Sequence, residues 1–170
     1  ILSDEALYIS GSPTVRFFIA VFRFLCNPRD KALRRLAVYS YRVMCGTFST
    51  ADSDQEQWAS QLLGYARHAL YELTEALFRL VADHISPSEQ AFAQAFLDKV
   101  AEFTQKERAD LNEFLKWWDE SGCQQTIAAP EGQNAVRILT IHKSKGLGFK
   151  AVVLPFCGWE LDHKWHAPTL

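Results

Sequence analysis

The residues with the most chemical potential sit together in Val136–Pro155, VRILTIHKSKGLGFKAVVLP. Thr140 and Ser144 bring hydroxyls, His142 an imidazole, and Lys143 and Lys145 ammonium groups, while Gly146 frees the backbone beside them. No acidic residue occurs from Val136 to Trp159, whereas Arg137, Lys143, Lys145 and Lys150 all fall in that stretch. Cations and backbone amides gathered on a glycine turn suit phosphate, because both meet the charge of an anion that carries its own acceptors. The same charges also suit a solvated loop, and charge alone does not separate the two.

Other constellations carry less. No glycine is followed by lysine, so the G-x-x-x-x-G-K-[ST] phosphate loop is missing. Gly146–Ala151 matches the dinucleotide pattern G-x-G-x-x-A by letter, but it precedes an expected strand where that turn must precede a helix. Asp119-Glu120 continues a helical stripe and so does not sit at a strand end, where a magnesium ligand pair is needed. His163 and His166 near Asp162 lack a second ligand cluster and read as a surface tail. His68 and His84 fall within or at the end of helical stripes, as packing or capping residues. Trp117-Trp118 can offer a base-stacking face, but the helical spacing beside Phe114 and Leu115 places at least one in the core.

The elements that must position these residues are mostly helical. Ser12-Pro13 forms an N-cap followed by proline in the first turn, opening the apolar run Thr14–Cys26. Arg16 and Arg23 share one face of it, which predicts a buried helix with one wet edge. Asn27–Asp30 is a turn; Asp30 caps a helix from Lys31 to about Cys45, closed by Gly46. TFSTADSD reads as a loop, with Ser53 and Glu56 at capping-box spacing. Trp58, Leu62, Tyr65, Ala69, Leu73, Leu77 and Leu80 then form one stripe on a long helix. Ser86–Glu89 predicts another capping box, ahead of the stripe Phe92, Phe96, Val100 and Phe103. Thr104 and Glu107 repeat it ahead of Leu111, Phe114, Leu115 and Trp118, ended by Ser121-Gly122. Beyond residue 122 the period changes. Gln124–Ala128, Ala135–Ile141 and Ala151–Phe156 read as strands, the last apolar enough to be covered on both faces of a parallel sheet.

Composition bounds the class. The chain has 170 residues, 48% hydrophobic and 22% charged, with a formal net charge of −2, which excludes an intrinsically disordered chain. It is long enough for one domain, or one domain plus a piece of another. Charge is uneven: +4 over residues 1–46, −8 over 47–122 and +2 over 123–170. Cys26, Cys45, Cys123 and Cys157 form no CxxC pair, so reduced thiols of a cytoplasmic protein are expected. The apolar run Thr14–Cys26 is too short to span a bilayer and lacks the flanks of a signal peptide, so no membrane partner is expected.

Thr140–Phe149, TIHKSKGLGF, resembles motif V of the UvrD/RecB/AddA helicases, usually TIHKSKGLEF followed by proline and an apolar strand. Two further stretches are in the matching order. SDEALYISGSPTVRFFIAVFRFLCNPRD is similar to the family's segment after motif IV, and DLNEFLKWWDESG resembles the helix that leads back toward motif V in RecB- and AddA-like proteins.

In that family two RecA-like domains clamp ATP and Mg2+ and ratchet along single-stranded DNA, with a helical subdomain inserted in the second. The resemblance implies a mainly α, α+β overall, chain. Residues 1–12 would lead from the second RecA-like domain, 13–122 would be the inserted helical bundle-like subdomain, and 123–170 would return with motif V. A few short strands from the incomplete RecA-like domain would lie at the two ends.

Thr140, His142, Lys143, Ser144, Lys145 and Gly146 would then lie along DNA. The family's glutamate, which reaches the nucleotide ribose, is replaced by Gly148 and its proline by Lys150, so the resemblance implies the DNA contact and assigns no nucleotide-binding residue here. The parent would be an exonuclease V beta-subunit-like helicase acting on single-stranded and duplex DNA in recombination and repair, with a second subunit of a helicase–nuclease complex as partner. Lacking the phosphate loop, the magnesium-binding acidic motif and the arginine-bearing motif VI, this piece alone is expected to bind no cofactor and to be inactive. The reading from another class is a free-standing helical interaction module without a nucleic-acid role.

Overall fold

The computed structural model describes residues 2–3, 7–46, 52–105, 110–127 and 136–155. They form two compact units, Ile1–Ile138 and Leu139–Leu170, a boundary that falls inside the expected return segment.

The first unit is mainly α. Its helices are α1 (Pro13–Cys26), α2 (Lys31–Cys45), α3 (Asp52–Leu63), α4 (Leu70–Val81), α5 (Gln90–Thr104) and α6 (Leu111–Glu120). Helix α1 is the core element. Val15, Phe17, Phe18, Val21 and Phe22 are fully buried, while Arg16 faces solvent, so the expected wet edge is present. A helix apolar nearly all round must be covered on most sides, and α2, α3, α5 and α6 cover it. Aromatic packing joins these layers: Phe18 stacks on Phe96 with centroids 5.5 Å apart, and Phe22 meets Phe114 edge-on at 5.8 Å.

The caps explain where the helices start. The Ser12 side chain accepts from the Val15 amide at 3.3 Å, and Asp30 accepts from Ala32 and Leu33. Gly46 closes α2 in the left-handed conformation at φ 66°, which a Cβ disfavours.

Several expectations need correction. The long helix through Tyr65 and Ala69 is two helices: the chain tightens into a 3₁₀ turn at Gly64–Arg67 and extends at His68 and Ala69 before α4 begins. Gly64 is the weak point, because glycine gives up the most backbone freedom in a helix. Leu70, Leu73, Thr74, Leu77 and Val81 form the buried stripe of α4, and Leu80 is exposed. Ser53 lies inside α3 rather than at its cap.

The Ser86–Glu89 box does not form, since Glu89 accepts a hydrogen bond from the Ser12 hydroxyl and its side chain caps nothing in α5. Thr104 ends α5 by donating to the Ala101 carbonyl, and Asp110 caps α6 by accepting from the Glu113 amide at 2.8 Å. Glu107 lies outside the described residues.

The flanks meet beside the helices. Tyr8 and Thr126 form an antiparallel bridge, with Ile9 N donating to the Gln125 carbonyl and Ile127 N to that of Leu7, both at 2.9 Å. Strand β1 (Leu2–Ser3) pairs in parallel with β2 (Arg137–Ile138), in the register Leu2 with Arg137 and Ser3 with Ile138. Among the described residues no strand forms at Ala151–Pro155. A strand covered on both faces needs neighbouring strands and covering layers, and Val152–Leu154 are exposed instead.

Candidate nucleic-acid interface

In the second unit the basic turn folds as one turn of helix, α7 (Ile141–Ser144), where strand and loop were expected. Thr140 starts it: its extended backbone directs the hydroxyl back onto the chain, and Oγ1 accepts from the Lys143 amide at 3.3 Å. The Ser144 amide donates to the Thr140 carbonyl, and the Ser144 hydroxyl donates to the Ile141 carbonyl at 2.8 Å. Gly146, at φ 86°, reverses the chain, and the Leu147 amide returns to the Ser144 carbonyl at 3.0 Å.

These bonds decide what the turn offers. The amides of Lys143, Ser144 and Leu147 are satisfied within it, so these three do not contribute to an anion cradle. Its outward chemistry belongs to side chains. His142, Lys143 and Lys145 are exposed, with Lys150 exposed a few residues on, and Ser144 is partly covered. Thr140 and Gly146 are also exposed, so all six residues expected along DNA share this one turn, with Thr140 and Gly146 shaping it. Ammonium groups on long flexible stems suit a backbone of repeated charges more than a single fixed phosphate.

The remaining candidates separate cleanly. Trp118 is buried against Phe96 and Phe114, and Trp117 packs partly buried on Phe103 at 5.4 Å. Cys26, Cys45 and Cys123 are free thiols. Burial pushes the Cys26 thiol above its usual range, with a smaller push from the Asp110 carboxylate. Burial also raises Cys45 and Tyr41, which share a hydrogen bond. His68 contacts the Tyr65 carbonyl through Nδ1 at 3.2 Å, and His84 ends a 3₁₀ turn with its ring 5.9 Å from Tyr41.

Among the described residues no group of three His, Cys, Asp or Glu side chains is placed to hold a metal, and no helix is long and apolar enough to cross a membrane. Asp162, His163, His166 and Cys157 lie outside the described residues.

The sequence reading missed one feature, a groove between α1 and α2 lined by Arg16, Ile19, Arg23, Leu36 and Tyr39. Its signal was present as Arg16 and Arg23 on one face of α1, but which face of α2 would lie opposite was not legible. No family model, curated protein or solved structure matches this chain.

Proposed function

We propose that this chain belongs to an ATP-dependent DNA helicase of the exonuclease V beta-subunit type. In this reading residues 13–122 form the inserted helical subdomain, and Thr140–Gly146 act as motif V along single-stranded DNA. ATP and Mg2+ would be held by parts of the parent other than this chain, and a second helicase–nuclease subunit would be its protein partner. His142, Lys143 and Lys145 touch the phosphates, and Thr140, Ser144 and Gly146 hold the turn that carries them.

The observation that carries this reading is the acid-free segment with its lysines exposed on a turn held by the Thr140 and Ser144 hydroxyls. The exposed apolar residues around it lend support. Ile141, Val152 and Val153 of the same unit, the last 85% exposed, are the kind of surface that a RecA-like sheet would cover. Contacts of this kind are sequence-independent and weaken with salt, because each neutralised phosphate releases counterions.

The test measures binding of a labelled oligothymidylate to the 170-residue chain over a salt series. Lys145→Ala and His142→Ala should each weaken binding, and Lys145→Ala should flatten the log–log salt slope by about 0.7, the single-strand value for one phosphate. Lys116→Ala, at an exposed position on α6, should leave both unchanged. Equal losses from Lys116→Ala and Lys145→Ala would reduce the effect to bulk charge. Absence of binding would favour the interaction-module reading.

A further inference from the structure

We propose that the groove between α1 and α2 docks an acidic amphipathic helix from a partner protein. The groove is open to solvent and has a volume of about 270 Å³. Ile19, nearly buried, lies on its α1 side, and Leu36 and Tyr39 of α2 line it while remaining 43% and 63% exposed. Val43, also exposed, continues the α2 stripe at the next helical repeat. Apolar side chains left in water at three- and four-residue steps, beside a cleft, match the way a groove receives the apolar face of a helix.

Charge complementarity selects the occupant. Arg16 and Arg23 both line the groove and stand seven residues apart on α1, about 10.5 Å along the axis, or two turns of a docked helix. Arg16 is exposed and gives its Nε to the Ser10 carbonyl at 3.0 Å. Arg23 pairs through Nη2 with Asp119 at 2.6 Å, while its buried Nε has no hydrogen-bond partner. A helix with leucine-like residues at i, i+3 and i+7 and a carboxylate opposite Arg16 satisfies floor and rim together, since Arg23 already holds Asp119. A nucleic-acid strand would meet the arginines but set phosphate against Ile19 and Leu36, where its hydration is lost without compensation.

None of these residues belongs to Thr140–Gly146, so this inference stands apart from the helicase reading. The probe is a labelled amphipathic peptide of about five turns, made in a glutamate-flanked and a lysine-flanked form, with an oligothymidylate alongside. Fluorescence anisotropy with the full chain should show micromolar binding of the glutamate form and at least about tenfold weaker binding of the lysine form. Arg16→Glu should weaken the glutamate form about tenfold and strengthen the lysine form, a reversal that loss of fold would not produce. Leu36→Asp, at an exposed site, should abolish peptide binding with the circular dichroism spectrum unchanged. Equal affinity for the two peptides would overturn the proposal, as would absence of peptide binding. So would oligothymidylate binding that Arg16→Glu removes while the glutamate peptide stays unbound.

Discussion

A Cβ placed on Gly122 would lie 2.8 Å from Cζ3 of Trp117 and 2.9 Å from Cε3 of Trp118. Real side chains do not approach so closely, and the indoles cannot yield easily: Trp118 is wedged against Phe96 and Phe114, and Trp117 against Phe103. Gly122→Ala should therefore destabilise the protein by about 1–3 kcal/mol in urea unfolding, the usual cost of overfilling a packed site. Gly11→Ala, where a Cβ meets nothing within 4 Å, is the matched control and should be near neutral. The same contrast holds at the candidate interface. His142 was legible as an imidazole and Lys145 as a cation of the basic turn because their types and spacing say so. That Thr140 would spend its hydroxyl on the Lys143 amide was not, since that bond depends on the chain turning into helix at Ile141.

At the scale of elements, one carboxylate shows how tertiary structure redirects a local signal. Glu89 stands at the third position after Ser86, as a capping box requires, yet it accepts from Ser12 at the start of α1. Ser12 in turn accepts from the Val15 amide, so one hydroxyl joins the N-terminus of the central helix to the entry of α5. Ser12→Ala removes both bonds and should cost about 1–2 kcal/mol. Glu89→Ala removes one and should cost less. A double-mutant cycle from urea unfolding should then show a coupling of about 0.5–1.5 kcal/mol, and a coupling near zero would mean that the pair does not hold the two helices. The break between α3 and α4 has a similar origin: the apolar spacing runs straight through it, but Gly64 weakens the helix where packing needs a bend.

Across the whole molecule, the described core is an aromatic and aliphatic assembly around α1, with a few partly buried titratable groups at its edge. Cys26, Cys45 and Tyr41 are all held above their ordinary values of 9.0, 9.0 and 10.0, chiefly by burial. Raised values mean that the folded state keeps protons that the unfolded chain releases. Stability from these groups is therefore complete below about pH 9 and declines as pH rises through and beyond it. Thermal unfolding followed from pH 8 to pH 11 should show this decline, and the Cys26→Ala, Cys45→Ala double variant should decline less steeply. An identical pH profile for the variant would place the alkaline sensitivity elsewhere.

The sequence by itself determined the helical character of the described residues between 13 and 121, the caps at Ser12, Asp30 and Gly46, the wet edge of α1 and the basic turn. Each of these depends on interactions within a few residues, which a 3.6-residue period, a capping side chain or a run of like charge writes directly into the chain. Tertiary structure decided the rest. It split the long stripe at Gly64, sent Glu89 to Ser12 and left Val152–Leu154 uncovered. It also set α2 against α1 so that Leu36 and Tyr39 face Arg16 and Arg23 across a groove. The physical reason is the same throughout. A helix start can be satisfied by its own neighbours, whereas a strand, a redirected carboxylate or a groove exists only once distant segments supply the partner, and no local pattern specifies which segment that will be.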